Sequence, residues 1–186
     1  GDRRLPRLVD QGEEVAPHLF RIPGAGGNSI VFIRSDDVVL VDTKLPNSGE
    51  SILAEIRKLT DKPVGLVINT HSHPDHTGSN GFFADNPGVE VIAQVNTATR
   101  MRAGGGPFPP LRVDRSFTTR LDLGEGADQV QLYHFGAGHT DGDAFVFFPA
   151  ARTMMAGDIY AWQMAPLIDY ASGGSALALP STLTAA

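Results

Sequence analysis

The sequence predicts an α+β fold in which two sheets pack face to face with helices outside. Three observations carry this. Apolar runs of strand length outnumber amphipathic helical stretches, the helical stretches are interleaved among the strands, and no internal repeat divides the 186 residues, which read as one domain, 1–186.

Glu14 to Asp42 is strand-like: His18-Leu19-Phe20-Arg21-Ile22, then Ser29-Ile30-Val31-Phe32-Ile33, then Val38-Val39-Leu40-Val41. Gly24-Ala25-Gly26-Gly27-Asn28 and Ser35-Asp36-Asp37 separate these runs as hairpin turns do, so the chain opens as an antiparallel meander. From Ser48 through Thr60 the period changes. Ile52, Leu53, Ile56 and Leu59 form one stripe, Ser48 stands at the cap position and Pro63 beyond the end, which predicts an amphipathic helix. Val64 to Asn69 reads as a buried strand, and Thr77 to Ala84 as a short helix. Val89 to Ala93 is a further strand and Asn96 to Arg102 a helix, broken by Gly104-Gly105-Gly106-Pro107-Phe108-Pro109-Pro110. A Gly/Pro connection of that length is a candidate pocket rim. Strands resume at Ser116 to Leu123, Gln129 to Phe135, Ala144 to Phe148 and Thr153 to Ala156, with Gly124-Glu125-Gly126 as a turn.

Composition narrows the partners. The 21 acidic residues against 15 basic ones give a formal charge of −6, and no Lys/Arg block stands out, so nucleic acid is not expected as a partner. No apolar stretch approaches the ~20 residues of a spanning helix, so a soluble chain without a membrane partner is expected. The chain contains no cysteine, which excludes disulfides and thiolate ligands and leaves cytoplasmic and periplasmic or secreted locations open. Gly1-Asp2-Arg3-Arg4-Leu5-Pro6 carries paired arginines with no apolar region behind them, unlike an intact export signal.

The densest chemistry lies in His71-Ser72-His73-Pro74-Asp75-His76, which holds four potential metal ligands at the end of a buried strand. Imidazole and carboxylate are donors that suit zinc. His139, within Gly136-Ala137-Gly138-His139-Thr140-Asp141-Gly142-Asp143, and Asp158, after Met155-Ala156-Gly157, each follow an apolar run. Side chains at loop-facing strand ends can converge from distant sequence. A structural zinc is the alternative to catalysis, but such sites are closed by four ligands, and a carboxylate-rich set on three loops fits that poorly.

The order H-x-H-x-D-H, then Gly-His-Thr, then Gly-Asp, resembles the metallo-β-lactamase superfamily over nearly the whole chain. The resemblance implies an αββα sandwich with the site at one edge of the two sheets. It implies that His71, His73 and His139 hold a first metal, that Asp75 and His76 hold a second, and that Asp158 bridges them, with two zinc ions in the intact domain. An acidic bridge is similar to that of glyoxalase II and the lactonases, whereas true β-lactamases of the superfamily usually carry Cys or Ser there. The flavodiiron branch has Glu where this chain has His73, which favours zinc hydrolysis. A mononuclear iron thiol dioxygenase shares the histidine cluster and stays an alternative. The family closes its second metal with a late histidine, and this sequence has none after His139. The expectation is a second half truncated at the C-terminus, without a strand and a closing helix, and with a weaker second metal. A catalytically impaired metal-binding fragment is therefore a further alternative.

The expected function is metal-dependent hydrolysis of a small ester, thioester, lactone or amide by a zinc-activated hydroxide, with β-lactam hydrolysis as an alternative. Asp75 is the candidate catalytic residue, orienting the nucleophile while it ligates. Asp42 is expected either to hydrogen-bond a ligand histidine or to cap a turn, and Thr140 and Asp143 either to fix the His139 ring or to build its turn. Lys44, Tyr160 and Trp162 lie just past strand ends, where they touch substrate or pack, and His18 and His134 read as core or edge residues. Specificity is expected from the loops Gly104 to Arg115 and Tyr160 to Pro180.

Overall fold

The computed structural model describes residues 9–160 and 164–186. Strands β1 (Glu13–Ala16), β2 (Leu19–Ile22), β3 (Ser29–Ile33) and β4 (Val38–Val41) form an antiparallel meander. Helix α1 (Gly49–Leu59) leads to β5 (Val64–Asn69), and two short helices, α2 (Pro74–Thr77) and α3 (Asn80–Ala84), lead to β6 (Glu90–Gln94). Helix α4 (Val95–Ala103) and β7 (Arg115–Phe117) complete a sheet whose order follows the chain from β1 to β7, with β4 to β7 parallel. Strands β8 (Arg120–Leu123), β9 (Val130–Tyr133), β10 (Phe145–Phe148) and β11 (Thr153–Met155) make a second, antiparallel sheet, and α5 (Leu179–Ala185) follows.

The central strands are apolar on both faces because both faces are covered. Val38, Leu40, Val64 and Val67 pack with Ile52 and Ile56 of α1, Phe83 of α3 and Met101 of α4. Their alternates Val39, Val41, Leu66 and Ile68 point the other way, onto Leu123, Val130, Leu132, Val146 and Phe148 of the second sheet. The layers are thus helix, sheet and sheet, the arrangement of the α+β expectation. Because β4, β5 and β6 run parallel, their C-terminal ends open onto one edge, where side chains beyond the pairs Val41↔Ile68 and Asn69↔Ala93 converge.

Several elements differ from the sequence expectation. The predicted strand Ser116 to Leu123 is two strands in different sheets: Phe117 pairs with Gln94, and Leu121 pairs with Leu132. Phe117 and Leu123 both sit in the core between the sheets, and the crossover between them is pinned by Gln94 Nε2 donating to the Thr118 carbonyl and His134 N to that of Thr119. Strand β1 has no alternation to betray it, being largely exposed at the sheet edge. His18 lies in the turn after it at φ 63°. The helix expected at Thr77 begins earlier, at Pro74, a residue suited to the first helical position, and is interrupted before Asn80. Among the described residues no helix is long and apolar enough to cross a membrane.

Candidate metal centre

The edge formed by β4 and β5 of the first sheet and the loops after β9 and β11 of the second gathers four histidines and one aspartate. One ligand atom each from His71, His73 and His139 lie within 4.8 Å of one another, and so do those of His71, His76 and Asp158. His71 belongs to both groups. Its ring is T-shaped to those of His73 and His139, with centroids 4.7 Å away in each case, and 4.1 Å from that of His76.

Each ring is held from behind. Asp42 Oδ2 lies 2.7 Å from His76 Nδ1 and accepts from Thr70 Oγ1 at 2.7 Å, so the Thr70 hydroxyl in turn accepts from His71 Nδ1, 3.1 Å away. Asp169 Oδ2 lies 2.7 Å from His73 Nε2, and the Leu167 carbonyl 2.6 Å from His139 Nδ1. These acceptors assign a proton to the outward nitrogen of every ring and turn His71 Nε2, His73 Nδ1, His76 Nε2 and His139 Nε2 inward, where each is a donor to a metal once it carries no proton. Asp169 is held well below the usual carboxylate range by bonds from Ser172 and His73.

The inward atoms fit a cation. His71 Nε2 and His76 Nε2 are buried without a hydrogen-bond partner, which is costly for a polar atom unless something else satisfies it. His73 Nδ1 and His139 Nε2 oppose each other at 3.0 Å, where two lone pairs repel unless they share a positive charge. Burial, and then the neighbouring imidazoles, keep His71 well below the usual histidine range and therefore neutral. Burial also pulls His76 down, but Asp42 and Asp158 outweigh it and raise this ring to about 10, so a cation arriving at Nε2 displaces a proton. Asp158 Oδ1 is 3.2 Å from that nitrogen but out of line for a hydrogen bond, so this is a contact of charge.

Residues 22–161 match the model of the metallo-β-lactamase superfamily. The chain belongs to the metallo-β-lactamase superfamily. The metallo-β-lactamase IND-1 of Chryseobacterium indologenes is 24% identical over 173 residues, which cover 89% of this chain and 70% of that protein. A type 2 metallo-β-lactamase of Elizabethkingia meningoseptica is 27% identical over 133 residues, and the matched part spans only 51% of its length. A solved metallo-β-lactamase of Pontibacter korlensis shares the fold with a TM-score of 0.80 over 95% of this chain and 83% of that one, at 20% identity. The chain thus combines the fold of this superfamily with a histidine-rich metal-binding arrangement, and zinc is typical of that family.

Within this metallo-β-lactamase fold, the expected ligands do not all stand alike. Asp75 is partly exposed, its Oδ2 3.6 Å from His76 Nε2, and it belongs to neither group. Asp42 is the histidine partner of the first reading, not merely a cap. Thr140 and Asp143 are not: the Thr140 N–H and hydroxyl bond the Asp143 carboxylate, and the backbone of Leu167 takes the His139 ring. His134 Nδ1 meets the Asp143 carbonyl at 2.8 Å and so braces the same loop. Tyr160 is exposed beside a cavity that also holds His76 and Asp158, and Trp162 lies outside the described residues. The Gly104–Pro110 loop does form a rim: with Ser72, His73, Pro74, Met101 and Leu111 it encloses a cavity of about 460 Å³. Asp169, Thr70 and Leu167 were not singled out by the sequence.

Lys44 takes the packing alternative. It is fully buried, and its ammonium donates to the carbonyls of Ile22 and Gly27, both at 2.7 Å, which places it beyond reach of a substrate. Burial lowers its pKa from 10.5 to about 8, against the pull of Asp42 and Asp10. Because the folded value lies below the unfolded one, the fold gains stability as pH rises from about 8 to about 10.5. Wild type should gain up to about 3 kcal/mol on Lys44→Met across that interval, measured by urea unfolding at its two ends.

Proposed function

We propose that this chain carries the metal centre of a zinc-dependent hydrolase that cleaves a small acyl substrate, an ester, thioester, lactone or amide. The observation that supports it best is the inward convergence of four histidine nitrogens, each fixed from behind, with Asp158 beside His76. In this reading His71, His73 and His139 hold one zinc, and His76 and Asp158, with Asp75 from the rim, hold another. Zinc in such a set supplies Lewis acidity and a nucleophile from water at neutral pH. The chain's own part is to aim the donors: Asp42, Thr70, Asp169 and the Leu167 carbonyl each hold the outward nitrogen of a ring and turn the other one inward. Asp75, whose side chain is partly exposed, is free to turn its second oxygen toward the attacking water and orient it.

The acyl portion of the substrate fits the cavity beside His73, whose far wall is Met101, Phe108 and Leu111. Phe108→Ala is expected to raise KM for an apolar acyl ester roughly tenfold with kcat nearly unchanged, as for the loss of uniform binding in an apolar pocket. An unchanged KM across a series of acyl sizes would place the substrate elsewhere.

β-Lactams are the second reading, favoured by the names of both curated relatives. Asp158 favours the lactonase-like or glyoxalase II-like branch instead. Zinc-loaded protein assayed against a nitrophenyl ester, a thioester, a lactone and a β-lactam separates the branches. Hydrolysis that survives in both His71→Ala and Asp158→Ala would sink the proposal as a whole.

A further inference from the structure

The buried amine of Lys44 has no place in the chemistry above, yet its surroundings lead to one half of the metal centre. Asp42 and Lys44 both adopt left-handed backbone, at φ 60° and 63°, so the chain after β4 coils back instead of continuing outward. That coil wraps the H-x-H-x-D-H turn. Asp42 takes the His76 ring, Thr43 N donates to the His76 carbonyl at 2.7 Å, and Gly78 N donates to the Lys44 carbonyl at 2.8 Å.

From this coil the Lys44 side chain runs inward, and its ammonium ties together the two ends of the loop 23–28, the Ile22 and Gly27 carbonyls. Between them Gly24, Ala25 and Gly26 stand at φ 89°, 52° and 96°, a run that no strand or helix would stabilise. The loop is seated on the second half of the metal centre. A Cβ on Gly26 would lie 2.6 Å from that of Asp75, one on Gly27 would collide with the His76 ring, and Gly27 N donates to the Asp75 carbonyl at 3.3 Å. None of these three contacts involves His73 or His139.

We propose that Lys44 is a positioning residue for the second metal half-site: its ammonium cinches the loop 23–28 onto His76 and Asp75, so that His76 Nε2 stays aimed at Asp158. The inference rests on the two-metal reading above. A burial role alone would cost stability and leave the two half-sites equally affected.

The test is cobalt titration, followed spectroscopically, of wild type, Lys44→Met and Gly27→Ala, the last pushing the loop off His76 by a steric clash with the lysine retained. The second cobalt step should weaken at least about tenfold in both variants, the cost typical of a lost outer partner, while the first changes less than about twofold. Imidazole nitrogen shifts of the metal-free proteins supply a readout independent of metal. The His76 resonances should move and those of His73 and His139 should not. Unchanged second binding together with an unmoved His76 ring, or equal weakening of both steps, overturns the role of Lys44. If wild type takes only one cobalt, the two-metal reading fails, and the His76 shifts alone decide whether Lys44 sets that ring.

Discussion

Asp42→Ala is expected to weaken metal binding at both half-sites by about 10- to 100-fold and to destabilise the protein by about 3–5 kcal/mol. Its carboxylate is fully buried and has no spare capacity. Oδ1 accepts from the Thr70 N–H at 2.8 Å, while Oδ2 serves the Thr70 hydroxyl and His76 Nδ1, both at 2.7 Å. Alanine would strand all three donors inside the protein and remove the acceptors that fix His76 directly and His71 through Thr70. It would also occupy left-handed backbone at φ 60°, which alanine tolerates less well than Asp or Asn. Asp42→Asn separates these effects. It keeps the backbone preference and one acceptor oxygen but sets an amide against a donor, so it should recover part of the stability and little of the affinity. Urea unfolding and zinc titration of the pair check this, and an Asn variant with wild-type zinc affinity would show that neither ring depends on the carboxylate charge.

The features legible in the sequence are those written locally. Val38 to Val41 and Val64 to Asn69 are continuous apolar runs because each is covered on two faces, and the number of such runs, with helical stretches interleaved among them, predicted stacked layers. His71, His73 and His76 announce themselves by spacing, and Asp42 by its place at a strand end. What stayed hidden depends on contacts between distant segments. The partner of His73 lies 96 residues away at Asp169, in a stretch with no periodic signal, and His139 is held by a backbone carbonyl, which every residue has and none advertises. Lys44 stays undecided in the sequence because a lysine ordinarily reads as surface, while its two partners are carbonyls of another hairpin. Gly26 and Gly27 were legible as turn residues, whereas their second role, admitting Asp75 and the His76 ring to close approach, requires the fold.

His71 and Asp158 should differ sharply when replaced. His71 stands in both groups, but its Nε2 carries one lone pair and can serve one ion, here the one held with His73 and His139, so His71→Ala strips the first half-site, whereas Asp158→Asn touches only the group containing His76. Losing a ligand costs more than losing its outer partner, so binding should fall by more than about 100-fold at the first half-site in the one variant and at the second half-site in the other. Thermal unfolding reads the half-site that each variant keeps. An ion present at 1,000 times its Kd stabilises the fold by about 4 kcal/mol. In a chain of this size that corresponds to roughly 8–16 °C. Chelation should therefore lower the Tm of wild type by that amount, and that of either variant by less, each keeping one half-site. The alternative geometry makes a different prediction. If the five side chains surround a single ion, Asp158→Asn and His71→Ala should lose chelator sensitivity together, so the size of the response remaining in the two variants tells a pair of sites from one mixed cluster.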